Sequence, residues 1–211
     1  MDGITEKRLL KILAFIEEIE KLKHIKRINT LSDCSRQESD AEHSWHLAMM
    51  VLLLKDELGE KFDLEKTIKI ALVHDLIEIY AGDCWPANKK EIEEKKAREK
   101  NSAEKLFSQL PKDLRKEIEG YWQEYEDAKT VEAKTVKALD KIVYPLHYAL
   151  SETIVWHKQQ STNGGRRVYG RPHVKHNKIL AEIFEHYNLR VDRTKRIRLE
   201  PSKQKPTKLI K

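Results

Sequence analysis

The sequence contains few cysteines and no long apolar run. Of its 211 residues only Cys34 and Cys84 are cysteines, which is too few for a disulfide scaffold and does not match the spacing of a zinc motif. The longest apolar run is eight residues, 47–54, whereas a membrane-spanning helix needs about 20. No apolar signal segment follows the N-terminus. We therefore expect a cytoplasmic protein with no transmembrane helix and no cleaved secretion signal.

Positive charge is concentrated at the C-terminal end of the chain. Residues 190–211 contain nine basic and two acidic residues, whereas 1–189 contain 32 basic and 33 acidic residues. The basic segment has no aromatic side chain and so lacks the stacking groups of a single-strand nucleic-acid surface. We expect 1–189 to form one folded domain and 190–211 a solvated, flexible tail. An anionic partner for the tail is the alternative, and nucleic-acid binding by the domain is not expected.

Apolar residues recur at three- and four-residue spacing along most of the domain, which is the period of amphipathic helices. No segment alternates as a strand, and no internal repeat is evident. The sequence therefore predicts an all-α fold of about six to seven helices, with a loop at 159–172. The predicted helices are 5–23, 39–58, 64–80, 88–109, 112–126, 131–156 and 173–187.

Local signals predict where several of these helices begin, end or bend. Ser39 and Glu42 have the spacing of a capping box, and Asp63 can cap the next helix. Gly82 is well placed to end that helix. Pro145 has no N–H and its ring crowds the preceding turn, which predicts a kink in the helix 131–156.

Titratable residues interrupt three of the apolar helices. His74 and Asp75 are adjacent at the centre of one, and His43 and Asp140 lie among apolar neighbours on two others. Buried charges need a partner or a cation, and imidazole with carboxylate suits divalent metals. The sequence predicts one ion of Mn, Co, Fe, Ni, Zn or Mg held by these four side chains. The alternatives are packed core histidines, a surface role for Asp75, and a lysine partner for Asp140.

The order His43, His74-Asp75, Asp140 resembles the H…HD…D signature of the HD-domain metal-dependent phosphohydrolases. This resemblance implies the helical HD fold, with helices holding the ion between them. A divalent cation stabilises charge on a phosphoryl oxygen and lowers the pKa of a bound water. The resemblance therefore implies hydrolysis of a phosphate ester.

Segments around the ligands resemble one branch of that superfamily. Residues 36–44 and 74–83 are similar to the corresponding segments of the 5′-deoxynucleotidase-like branch, and the resemblance extends over about 8–157. It implies a small-molecule substrate, best matched by a nucleoside 5′-monophosphate. A phosphodiesterase, a nucleoside triphosphate hydrolase and a non-catalytic nucleotide-binding regulator remain alternatives.

Three further residues are candidates for roles near the metal. By the resemblance, Glu78 orients or deprotonates the attacking water, and Asp83 contacts the substrate or helps to protonate its leaving oxygen. Arg36 precedes the first-ligand helix and can make a two-point contact with phosphate. The alternatives are a solvated helix acid, a turn residue after glycine and a surface charge, respectively.

The sequence departs from this branch at one point. Bacterial 5′-deoxynucleotidases carry an Arg-Trp pair before the first-ligand helix that reads the sugar, and the corresponding segment 28–33 contains neither residue. The sequence therefore leaves selectivity for the 2′-deoxy sugar open, and both nucleoside and deoxynucleoside monophosphates are candidate substrates.

Aromatic residues on one predicted helix indicate how copies of this chain assemble. The helix 112–126 carries Tyr121 and Trp122 beside Leu114 and Ile118, and aromatic residues are enriched at interface centres. Related HD nucleotidases are often dimers, so we expect a homodimer. The alternative is that Trp122 packs inside its own subunit against the first helix.

Overall fold

A computed structural model describes residues 3–59, 61–83, 89–151 and 163–193, and these residues are mostly helical. The predicted all-α class is confirmed, although the described ranges contain nine α-helices rather than six or seven, together with a short β-ribbon. The α-helices are α1 (Gly3–Ile19), α2 (Asp40–Leu54), α3 (Leu64–Val73), α4 (Glu78–Ala81), α5 (Lys89–Phe107), α6 (Lys112–Asp127), α7 (Val131–Leu150), α8 (Asn163–Val174) and α9 (Lys178–Arg193). A 3-10 helix (Glu20–His24) follows α1.

The ribbon consists of β1 (Lys26–Thr30) and β2 (Gln37–Ser39), paired antiparallel before α2. Only one residue of β1 is strongly apolar, so the alternation that signals a strand is missing. The ribbon is held instead by backbone pairing and by Gln37, whose amide donates to the Arg27 carbonyl at 2.8 Å. It brings Arg27 and Glu38 beside the start of α2.

The predicted helix caps are confirmed. Ser39 accepts a hydrogen bond from the Glu42 N–H, and the Glu42 carboxylate accepts from the Ser39 N–H at 2.9 Å. Asp63 caps α3 by accepting from the Lys66 N–H at 3.0 Å. Each of these bonds satisfies a backbone donor that the helix leaves without a partner.

The predicted helix 64–80 is not continuous. α3 ends at Val73, and the backbone then turns through 74–77 with i to i+3 bonds, Leu76 N–H to the Val73 carbonyl and Glu78 N–H to the Asp75 carbonyl, both 3.0 Å. α4 follows, and Gly82 ends it with a left-handed φ of 72°, as predicted. The His-Asp pair therefore lies on a tightened turn rather than at a helix centre.

The predicted loop at 159–172 is wrong where the structure describes it, since α8 covers Asn163–Val174. Its glycines mimic a loop signal, but Gly170 lets α8 approach α9 closely: a Cβ there would lie 2.3 Å from the Phe184 ring. The last helix begins at Lys178 rather than 173. α7 is one helix with Pro145 inside it and ends at Leu150 rather than 156; residues 152–162 lie outside the described ranges.

Two large buried apolar clusters and a small third one, Tyr148 with Ala149 and Val191, form the core of the described residues. One large cluster lies among α2, α3, α7 and α9, and the other joins α1, α5 and α6 with the segment around α4. Trp122 belongs to the second cluster, is 8% exposed, and contacts Phe107 with ring centroids 6.1 Å apart. The cluster also contains Phe15 of α1. Trp122 therefore packs inside its own subunit. It does not form the exposed aromatic surface from which the dimer was predicted.

The C-terminal end of the described chain overlaps the predicted tail. α9 continues to Arg193, and residues 194–211 lie outside the described ranges. No helix in the described part of the chain is both long enough and apolar enough to span a membrane.

The contact between α8 and α9 generates a stability prediction. We expect Gly170→Ala to lower the free energy of unfolding by about 1–3 kcal/mol because the added methyl overlaps a buried ring. Gly120→Ala is the matched control, since nothing lies within 4 Å of its Cβ position in α6. That change should stabilise by about 0.5–1 kcal/mol. Urea unfolding measures both, and an unchanged midpoint for Gly170→Ala would contradict the close contact.

Candidate metal centre

The structure brings the four predicted metal ligands together. His43 Nε2 lies 3.1 Å from Asp140 Oδ1 and 3.9 Å from Asp75 Oδ2. His74 Nε2 lies 3.1 Å from the same Asp75 oxygen. His43, His74 and Asp140 are buried, and the Asp75 side chain is 15% exposed. The donor atoms thus converge from α2, from the end of α3 and from α7.

Backbone contacts orient the second histidine. The Nδ1 atom of His74 lies 2.8 Å from the Ala71 carbonyl; since a carbonyl only accepts, Nδ1 must be the donor. Nε2 then turns towards Asp75, and in the neutral ring its lone pair is available to a metal. Such a hydrogen bond commonly fixes the tautomer of a ligating histidine.

The residues present fit a divalent cation. Both ring nitrogens of His43 and Nε2 of His74 are buried and have no hydrogen-bond partner among the described atoms. Ligands at about 2.0–2.2 Å from one ion lie roughly 3 Å apart, close to the shortest separations in this set. Burial raises the pKa of Asp75, but the charges of His74 and Arg27 lower it by more, so the pKa lies below its ordinary range. An ionised oxygen of Asp75 therefore lies near the Nε2 atoms of His43 and His74, which bind a metal in their neutral form.

Arg27 is the residue of this centre that the sequence analysis missed. Its Nη1 lies 2.5 Å from Asp75 Oδ2 and 3.0 Å from Asp40 Oδ1, and its Nη2 lies 3.5 Å from Asp140 Oδ1. The side chain is 15% exposed, and its Nε has no hydrogen-bond partner among the described atoms. The only sequence signal was its position, one residue before the segment 28–33.

Glu78 and Asp83 both line a cavity of about 270 Å³ that opens onto this cluster. Glu78, 5% exposed, is the first residue of α4, and its Oε1 lies 3.6 Å from the Lys95 ammonium. Lys95 of α5 also lies 3.3 Å from Glu99. Lys95 is a second functional candidate that the sequence did not single out, because its helix is charged throughout.

Carboxyl groups outnumber the cations around this cavity. Burial, with repulsion from Asp75 and Asp83, raises the pKa of Glu78 to about 9 although Lys95 opposes it. Burial and the charge of Asp75 raise the pKa of Asp40 to about 8. Both shifts mean that a further negative charge is unfavourable here. A bound cation would relieve this repulsion.

Arg36 is not part of this cluster. Its guanidinium pairs with the Glu42 carboxylate at 2.5 and 2.8 Å, and its side chain is 48% exposed. This contact lowers the pKa of Glu42 to about 2. Arg36 does not line the 270 Å³ cavity, so its contacts give no support to a role in phosphate binding.

Comparisons with known proteins show which family, sequences and solved structures this chain is similar to. A family profile described as an HD domain matches residues 19–182. The human protein named 5′-deoxynucleotidase HDDC2 is 36% identical over 131 residues, covering 62% of this chain and 63% of that protein. The Xenopus laevis protein of the same name is 32% identical over 181 residues, covering 84% of this chain and 88% of that protein. The chain thus spans less than two thirds of the human relative.

A solved structure from Magnetospirillum magnetotacticum, described as a "predicted metal-dependent phosphohydrolase", has a TM-score of 0.80 to this chain. The two are 34% identical, and the match covers 91% of this chain and 95% of that one. The family profile, which matches residues 19–182, spans all four converging side chains.

The convergence of donors generates a metal-binding prediction. Adding Mn²⁺ at about 100 times its dissociation constant should stabilise the protein by about 2.7 kcal/mol, seen as a rise in Tm. Asp140→Asn should lose most of that rise, because it removes an anionic ligand. Asp113→Asn, exposed and paired with Arg8, is the matched control and should keep it. An equal rise in all three proteins would remove Asp140 from the site.

Proposed function

The chain belongs to the HD domain family, and we propose that it is a divalent-metal-dependent phosphohydrolase that removes the phosphate from nucleoside 5′-monophosphates. The observation that carries this proposal is the cluster of His43, His74 and Asp75, whose donor atoms lie within 4.8 Å of one another, with Asp140 Oδ1 3.1 Å from His43 Nε2. The names of the human and Xenopus relatives support the substrate class. Phosphate-ester hydrolysis is the chemistry that such a donor set suits.

His43, His74, Asp75 and Asp140 are the proposed metal ligands. A divalent ion held there supplies a Lewis acid for a phosphoryl oxygen and a bound water of lowered pKa. Its identity among Mn, Co, Fe, Ni, Zn and Mg stays open, since these ligand types suit several divalent ions.

Arg27 is the proposed phosphate-orienting group. The guanidinium lies at the cavity beside two proposed ligands, and it carries donors in a planar fork that matches two phosphate oxygens. Its Nε has no hydrogen-bond partner among the described atoms, although the Glu38 carboxylate lies 3.8 Å away. The nearby Lys95 adds a second positive charge on the side of the cavity where Glu78 lies.

Glu78 is the proposed acid–base group. Its carboxyl is buried in the cavity wall, and its Oε2 has no hydrogen-bond partner among the described atoms. A cation bound beside Asp75 would relieve the repulsion that, together with burial, raises the Glu78 pKa, and the ionised carboxylate could then accept a proton from the attacking water. Asp83, on the same wall after Gly82, is proposed to contact the substrate or help to protonate its leaving oxygen.

Several finer features stay predictions. The four proposed ligands do not determine which leaving group the site accepts, so a substrate screen should include phosphodiesters and nucleoside triphosphates. It should also compare 2′-deoxy with ribonucleoside monophosphates. A cytoplasmic location and a homodimer are likewise still predictions. Apolar side chains exposed on α1, such as Leu10 and Ile16, are surface of the kind that a second subunit covers.

Replacement of Glu78 tests the proposed hydrolysis. Glu78→Gln should lower kcat for a nucleoside monophosphate by about 10² to 10⁴, the usual contribution of a positioned acid or base, while Mn²⁺ still raises the Tm. Glu182→Gln on the exposed face of α9 is the matched control and should retain kcat. Wild-type turnover by Glu78→Gln would remove this residue from the mechanism.

A pair of arginine variants decides which guanidinium binds the phosphate. Arg27→Lys keeps the charge but loses the fork, and we expect kcat/KM to fall about 10- to 100-fold, equivalent to about 1.5–3 kcal/mol for a charged hydrogen bond. Arg36→Lys should change kcat/KM by less than about twofold, as expected for an exposed ion pair. The reverse order of effects would restore Arg36 as the phosphate-binding residue.

A further inference from the structure

A second cluster of metal-ligating side chains lies on the other side of Glu38 from the candidate metal centre. It consists of Glu38 in β2, His46 in α2 and His147 in α7, and one potential donor atom from each lies within 4.8 Å of the other two. None of these three residues is among the four ligands proposed for the candidate metal centre. We propose that Glu38, His46 and His147 bind a second divalent cation of the Zn²⁺, Co²⁺ or Ni²⁺ class.

Unsatisfied buried atoms support this proposal. Glu38 is 2% exposed, and its Oε2 faces His43 Nδ1 and Arg27 Nε, each 3.8 Å away, which leaves Oε1 for the second cluster. His147 is 7% exposed, and its Nδ1 has no hydrogen-bond partner among the described atoms. Burying such a nitrogen without a partner is unfavourable by about 1–3 kcal/mol. His147 Nε2 lies 3.5 Å from Glu38 Oε1, which is longer than an ordinary hydrogen bond.

The spacing of the three side chains suits an ion. Donors around a tetrahedral Zn²⁺ at about 2.0–2.1 Å lie roughly 3.3 Å apart, close to the 3.5 Å between His147 and Glu38. The ring of His46 lies nearly parallel to that of His147, with centroids 6.3 Å apart. A potential donor nitrogen of the half-buried His46 lies within 4.8 Å of the other two donors.

The chemistry of the set favours a borderline transition metal. Two imidazoles with one carboxylate suit Zn²⁺, Co²⁺ and Ni²⁺ better than Ca²⁺ or Mg²⁺. Burial lowers the pKa of His147 to about 4, with smaller contributions from the charges of His46 and Arg27, so the ring is neutral and able to ligate. A cavity of about 380 Å³ lined by all three side chains and by Trp45 gives access from the surface.

The carboxylate of Glu38 would lie next to both metal centres. Glu38 directs Oε1 towards His147 and Oε2 towards His43 Nδ1, 3.8 Å away. A cation at the second cluster would hold the Glu38 carboxylate in place beside the ring of a proposed ligand of the first. Glu38 is in that sense a positioning residue for His43.

Metal content of the full chain tests the proposal. The protein is saturated with Zn²⁺, desalted, and its zinc per chain is measured by plasma mass spectrometry. We expect His46→Ala and His147→Ala each to hold one zinc fewer than the wild type. The exposed His186→Ala is the matched control and should keep the wild-type content, and Asp140→Asn should lose an ion independently of the His46 change.

Equal zinc content in the wild type and in His46→Ala would overturn the proposal. His46 is half-buried, so this variant stays informative if the buried His147→Ala fails to fold, and circular dichroism reports which variants are folded. The measurement does not depend on hydrolysis. An inactive wild-type protein whose His46→Ala variant holds one zinc fewer would refute the proposed function and support the second site. An active wild-type protein whose His46→Ala variant keeps its zinc would support the function and refute the second site.

Discussion

Arg27 places one guanidinium among carboxylates that come from α2, from the turn after α3 and from α7. A charge buried to this degree is tolerated only when paired, and removal of one partner from a buried pair typically destabilises by about 3–5 kcal/mol. The contact therefore holds the ribbon against the helices that carry the metal-ligand candidates. The fold and the candidate site depend on the same set of charges.

Local signals predicted much of the fold and part of the candidate site. Caps at Ser39 and Asp63 and the end at Gly82 follow from hydrogen bonding within a few residues, so a sequence reveals them directly. The four converging side chains were found for a related reason. Histidine and aspartate among apolar neighbours are conspicuous because burial without a partner is unfavourable.

Features that depend on distant contacts could not be predicted. The ribbon lacks alternating side chains, and Arg27 becomes special only because 48 residues later the chain returns Asp75 to it. Lys95 is indistinguishable in sequence from its charged neighbours on α5. Gly170 predicts a loop from sequence, yet in the structure its lack of a side chain makes room for the Phe184 ring of the next helix. In each case the informative partner lies outside any local window.

The tightened turn at 74–77 has a consequence for how this chain can vary over evolutionary time. Each residue of a helix advances about 100° around its axis, so deletion of one residue between Asp75 and Glu78 would rotate α4 relative to α3 and carry the Glu78 carboxyl off the cavity wall. Leu76 and Ile77, the two residues between them, are buried in the second apolar cluster, so an exchange for another apolar side chain leaves that geometry intact. We infer that lineages of this protein accept apolar exchange at Leu76 and Ile77 but not a change in the length of this segment.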